Sequence, residues 1–156
     1  MPKRRRARAA TIRTAAGRAL HLLAGTWRTE GQIVGVAPGP ATTLAAVDRY
    51  EWVPGLNLLA HYVAGHIGRK SVGSFEIWSY VRARRAYAST SFDENGVPST
   101  FRGVLRGRQW TIRGRMQRFH GTFSEDGLTL SGTWDQKSGR TWKPWLKITL
   151  RKAGTA

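Results

Sequence analysis

From Gly25 to Arg151 the chain is cut by turn-forming residues into short segments, most of which alternate apolar and polar side chains with a period of two. That pattern constrains the fold more than any other feature. The segments are Trp27 to Ile33, Thr43 to Val53, Leu58 to Gly65, Val72 to Val81, Tyr87 to Phe92, Ser99 to Arg106, Gln109 to Arg115, Gln117 to Ser124, Leu128 to Asp135 and Thr141 to Arg151. Between them lie Val36-Ala37-Pro38-Gly39-Pro40, Pro54-Gly55, His66 to Ser71, Asp93-Glu94-Asn95-Gly96, Arg106-Gly107, Glu125-Asp126-Gly127 and Lys137-Ser138-Gly139. Proline removes a ladder donor there and glycine frees the backbone to reverse. An open sheet of this many strands would leave two unpaired edges, so closure is favoured. The expected fold class is all-β: a single closed antiparallel β-barrel of about eight to ten strands, whose interior can hold a small molecule. Gly103, Gly114, Gly121 and Gly132 fall inside strands and permit the bends that a small barrel requires.

A chain of 156 residues fits one domain able to bury a core. The absence of cysteine excludes a disulfide framework, thiolate catalysis and cysteine-ligated zinc, and it fits a cytoplasmic protein. No run of apolar residues is long enough for a membrane span, and the Arg-rich start lacks the apolar core of a signal peptide. The net charge of +17 raises the possibility of nucleic acid. Of the 26 basic residues, Lys3, Arg4, Arg5, Arg6, Arg8, Arg13 and Arg18 stand in residues 1–18 with no acid among them, which leaves nineteen basic against nine acidic side chains in the rest. Residues 1–18 therefore read as a basic tail too charged to pack, and residues 19–152 as the barrel. Nucleic acid or an acidic partner acting through that tail is an alternative to the main reading, and a solvated, Arg-rich surface is preferred to it. Ile12, Ala15, Ala16, Leu20 and Leu23 recur near helical spacing, so a short helix within Ala9 to Ala24 is expected to plug one barrel end.

The opening Leu23-Ala24-Gly25-Thr26-Trp27-Arg28-Thr29-Glu30-Gly31 resembles the first strand of calycins, and its Gly-Thr-Trp-Arg-x-Glu-Gly pattern is similar to nitrobindin-type barrels. Asp48-Arg49-Tyr50-Glu51-Trp52-Val53-Pro54-Gly55, Phe92-Asp93-Glu94-Asn95-Gly96, Phe123-Ser124-Glu125-Asp126-Gly127 and Trp142-Lys143-Pro144-Trp145 resemble an uncharacterised bacterial lipocalin-like family. Over residues 20–152 the resemblance implies a barrel around a cavity, without a settled activity. It also implies that a basic residue of the last strand, Arg151 or Lys147, covers Trp27. Nitrobindins hold haem through a histidine near the chain end. The last histidine here is His120, with none in the final two strands, so haem is disfavoured and no cofactor is expected.

Counting across the hairpins gives a candidate site, because opposed residues of an antiparallel pair share a face. A first hairpin centred between Gly55 and Leu56 sets Tyr50 against His61 and Trp52 against Leu59. A second, centred between Gly68 and Arg69, sets His61 against Glu76 and Leu59 against Trp78. One face then carries Asp48, Tyr50, Trp52, Leu59, His61, Val63, Glu76, Trp78 and Tyr80, with Tyr50, His61 and Glu76 in a row. The opposite choice would bury Phe75, Ile77, Val81, Leu58, Ala60 and Tyr62 but bring Arg49 and Glu51 inside, so the Tyr50 face is taken as inward; a one-residue slip reverses it. If catalysis occurs, Tyr50, His61 and Glu76 carry it, with Glu76 fixing the His61 tautomer and the other ring nitrogen left for a ligand proton. Trp52, Trp78, Tyr80, Trp110, His120 and Trp134 are the candidate ligand-binding residues. In the last strand Trp142, Leu146, Ile148 and Leu150 read as buried and Trp145 as outward; Leu128, Leu130, Gly132 and Trp134 read as one inward row.

His21, His61, His66 and His120 show no metal-ligand spacing, no phosphate-binding loop precedes a helix, and no serine sits in a nucleophile elbow. The leading expectation is a barrel that binds a small hydrophobic or aromatic metabolite. The alternative is a cyclase or isomerase using the same cavity for acid–base chemistry. No sequence feature sets an oligomeric state.

Overall fold

The computed structural model describes residues 17–154. The expectations for the basic tail and the upstream part of the helix fall on residues 1–16, outside the described residues. Among the described residues one α-helix, α1 (Arg18–Leu23), is followed by ten strands: β1 (Gly25–Ile33), β2 (Thr43–Trp52), β3 (Leu59–Ile67), β4 (Lys70–Val81), β5 (Ala86–Phe92), β6 (Pro98–Arg106), β7 (Gln109–Arg113), β8 (Gln117–Phe123), β9 (Thr129–Ser138) and β10 (Thr141–Lys152). Each strand pairs antiparallel with its chain neighbours, and β1 pairs with β10, so the sheet closes into a barrel without a free edge. No described helix is long and apolar enough to cross a membrane.

The turns form where the sequence supplies residues for them. Gly55, Gly68, Gly96, Gly107, Gly127 and Gly139 all adopt positive φ in the connections between strands. The β4–β5 connection differs: a 3₁₀ turn over Arg82–Arg84 ends in Arg85 at φ 47, a left-handed conformation that costs a side-chain-bearing residue about 1 kcal/mol.

Helix α1 closes one end of the barrel. Ala19, Leu20 and Leu23 are almost fully buried, and the Ala19 backbone N–H donates to the Tyr87 hydroxyl at 3.0 Å. At the C-terminus of α1, carbonyls left without intrahelical donors are taken up by side chains: the Trp27 indole donates to the Leu23 oxygen at 2.7 Å and the Lys152 ammonium to the Leu22 oxygen at 3.2 Å. The Lys152 ammonium also lies 4.9 Å from the centre of the Trp27 ring. The basic cover of Trp27 is therefore Lys152, neither Arg151 nor Lys147. Lys152 shares the inward parity of Leu146, Ile148 and Leu150, whereas Arg151 points outward, 3.6 Å from Glu30.

Two further expectations change. A register shift between Pro144 and Leu146 breaks the parity of β10. Trp142 consequently lies on the outer surface, where the Arg118 guanidinium stacks on it at 4.6 Å, while Trp145 turns partly into the core. Leu128 precedes β9 and is exposed, so the inward row there is Leu130, Gly132 and Trp134. The strand glycines act mainly by making room. A Cβ on Gly103 would strike the rings of Trp110 and Trp78, and one on Gly121 or Gly132 would strike Phe119.

Candidate functional site: a carboxylate–imidazole belt inside the barrel

The β2–β3 and β3–β4 registers set Tyr50 opposite His61 and His61 opposite Glu76. The row faces inward, because the alternate residues Arg49, Glu51 and Tyr62 are exposed while Tyr50 and His61 are buried. Within the row, His61 Nδ1 lies 2.9 Å from Glu76 Oε1 and its Nε2 lies 2.7 Å from Asp48 Oδ2. The remaining carboxylate oxygens are engaged as well. Thr29 donates its hydroxyl to Asp48 Oδ1 at 2.5 Å, Ser89 donates to Glu76 Oε2 at 2.9 Å, and the Trp78 indole donates to Glu76 Oε1 at 2.5 Å. The result is a continuous polar belt across β1, β2, β3, β4 and β5. The Tyr50 ring stacks on the His61 imidazole, with centroids 3.8 Å apart and planes 7° from parallel.

This arrangement fixes the charge of His61. Each ring nitrogen faces a carboxylate oxygen, which can only accept, so both nitrogens carry hydrogen and the ring is an imidazolium. Burial alone would push His61 down; the hydrogen bonds to Asp48 and Glu76, together with their charges, outweigh it and raise the pKa from 6.5 to about 9. Burial pushes the Tyr50 phenol well above its ordinary range, and the charges of Asp48 and Glu76 add to that, so it stays neutral. The sequence reading left one imidazole nitrogen free for a ligand. The structure gives that nitrogen to Asp48.

The other candidates divide into four groups. Trp78 and Trp110 are fully buried and pack against each other at 5.5 Å, and Trp110 meets Tyr87, which Tyr80 also touches at 4.9 Å; these rings fill the barrel near α1. Trp52, half-buried at the end of β2, meets the ring of His21 on α1. Trp134 is only partly buried, between Phe119 and Phe101. His120 does not belong to the interior: it alternates with inward Phe119, its side chain is 62% exposed, and it lies 3.8 Å from Asp135 on the outer surface. Asp48, Thr29 and Ser89 are members of the belt that sequence reasoning did not select. Asp48 was within reach, since it shares the inward parity of Tyr50.

Along the inward row of β3, the residues farther from α1 are more exposed than those near it. Leu59 is 0% exposed, His61 9%, and Val63, Gly65 and Ile67 are half-buried although Val63 and Ile67 point their side chains into a closed barrel. Ile33 at the far end of β1 and Val72 near the start of β4 are also half-buried. The α1 end is thus closed by fully buried side chains, whereas at the other end half-buried Val63, Ile67, Ile33 and Val72 stand beside buried Leu44, Leu146 and Ile148, and the belt lies between the two.

The inward residues do not fit haem. Among the described residues His61 is the one histidine directed inward, and both its nitrogens are held by carboxylates; His21, His66 and His120 are exposed.

By fold and site, then, the chain is a ten-stranded antiparallel barrel, plugged at one end, with a charged belt on its inner wall. The crystal structure of Rv2717c from M. tuberculosis is similar to it, with a TM-score of 0.63 and 14% identity over 89% of this chain and 98% of that chain. At that identity the likeness shows the fold alone. No family model matches the sequence, and no curated protein matches it.

Proposed function

We propose that the protein is a lipocalin-like barrel that binds a small hydrophobic or aromatic molecule in its interior, entering from the end opposite α1. The observation that carries this reading is the gradient along β3, from a sealed Leu59 to half-buried Val63 and Ile67 inside a closed sheet. Apolar walls with a few convergent polar groups are the usual composition of a small-molecule site. Here Val63, Ile67, Val72, Phe101 and Trp134 supply the apolar wall, and the belt forms its floor. The resemblance of the opening strand to calycins and nitrobindin-type barrels is consistent with that use of the fold.

In this reading Tyr50, His61 and Glu76 orient a ligand and do not catalyse its conversion. An imidazolium whose two N–H groups are held by Asp48 and Glu76 has no lone pair with which to take a proton. The test is displacement of a neutral apolar fluorophore, N-phenylnaphthylamine, with the variant Val63→Trp filling the half-buried end and Val72→Phe as a second filler. The expected result is saturable binding by the native protein that weakens about tenfold or more in either variant that keeps its circular dichroism. Equal binding in all three proteins, or none in the native one, contradicts the reading.

A further inference from the structure

The outer wall of the barrel carries a second concave feature. On β4, Ile77, Ser79 and Val81 alternate with the inward Glu76, Trp78 and Tyr80, so they face outward, and they line a groove of about 620 Å³ running over β5 and β6 to β7. Its depth follows from residue size. The cross-strand row Ser79, Ala88, Arg102, Arg113 places two small side chains beside two long ones, and Ala86, although outward, is only 2% exposed.

Four arginines line the groove: Arg84, Arg102, Arg113 and Arg115. All are exposed, and none of the nine acidic residues of the chain lines it. Among the described residues, none of the four makes an ion pair; the arginines that do are Arg49, Arg118 and Arg151. Arg102 and Arg113 stand directly opposite each other on neighbouring strands, an arrangement of like charges that is unfavourable without a counter-ion between them. At the groove's end, the β4–β5 connection keeps Arg85 at positive φ, where seven other strand connections use glycine.

The geometry points to an anion site for a compact phosphorylated molecule with an apolar body. Guanidinium groups recognise phosphate with paired N–H donors, and two opposed arginines supply both charge and donors. Ile77, Val81 and Ala88 offer the body an apolar floor. A nucleic-acid strand is less well matched, because the aromatic residues bordering the groove, Tyr87 and Phe101, turn their rings inward against Trp110 and Trp134 and leave no platform for stacked bases. This site is independent of the interior.

The test uses the full chain with naphthyl phosphate as probe, read by calorimetry and thermal shift. Saturable binding of one equivalent is expected, tighter than inorganic phosphate and weakened about tenfold or more in Arg102→Gln/Arg113→Gln. A control carrying the same charge loss elsewhere, Arg69→Gln/Lys70→Gln, should bind within about twofold of the native protein. Since the double variant removes opposed like charges, it should melt no lower than the native protein without phosphate, which separates lost binding from lost folding. Equal weakening in both double variants reduces the site to diffuse charge and overturns the proposal, as does the absence of saturable binding. Tighter binding of single-stranded oligothymidylate than of naphthyl phosphate, sensitive to Arg102 and Arg113, assigns the groove to a polynucleotide and also overturns it.

Discussion

The charge state of His61 makes stability depend on pH with a definite sign. In the unfolded chain the imidazole titrates near its ordinary 6.5, whereas in the barrel the two carboxylates hold it to about 9. A raised pKa means that the folded state binds the proton more tightly, so the stabilisation is complete below 6.5 and disappears as pH rises through about 9. The gap between 6.5 and about 9, at about 1.36 kcal/mol per pH unit, amounts to about 3 kcal/mol. For a domain stabilised by about 5–15 kcal/mol in all, that is a large fraction. Urea unfolding at fixed salt between about pH 6 and about pH 9.5 should therefore show the midpoint falling with an unchanged slope. The His61 imidazole resonances, followed by NMR over the same range, read the folded value directly. A titration near the ordinary histidine value, or a stability that is flat or rising across the window, would refute the imidazolium.

Replacing His61 by Leu leaves the Asp48 and Glu76 carboxylates, 10% and 12% exposed, without the cation between them, and should cost about 3–5 kcal/mol at neutral pH by urea unfolding. Replacing the three ionisable belt members by apolar residues, Asp48→Leu/His61→Leu/Glu76→Leu, removes the uncompensated charge and should recover part of that loss, the Thr29, Ser89 and Trp78 donors being left without acceptors; a triple variant worse than the single one would show that charge is not what destabilises His61→Leu. Gly103→Ala forces a methyl into the Trp110 and Trp78 rings and should cost about 1–3 kcal/mol; a change under about 0.5 kcal/mol would mean that these rings shift freely. Lys152→Met keeps the aliphatic stem but removes the ammonium from the Leu22 carbonyl and from Trp27, with an expected loss of about 1 kcal/mol, measured as increased hydrogen exchange in α1 and β1.

The fold and the central row of the site were legible in the sequence because the relevant turns are short. Counting outward from Gly55 and Gly68 fixes every partner from Trp52 to Trp78, and the inward choice follows from keeping Arg49 and Glu51 out of the core. The outer strands were less legible. A nine-residue connection, 34–42, separates β1 from β2, so no counting rule sets Thr29 diagonal to Asp48. The irregularity beside Pro144 exchanges the roles of Trp142 and Trp145, which parity alone cannot foresee. Asp48 was visible on the right face, but a two-partner histidine is a property of three strands held together, and Tyr50, its direct cross-strand neighbour, drew attention away from its diagonal one.

The central claim is that the barrel interior beyond the belt holds a small molecule. Native mass spectrometry of the protein purified from its own cells tests it most directly. A population carrying one additional small apolar molecule, lost in Val63→Trp, is expected. A bare protein mass under conditions gentle enough to keep noncovalent complexes, together with no displacement of N-phenylnaphthylamine by a cell extract, would contradict it.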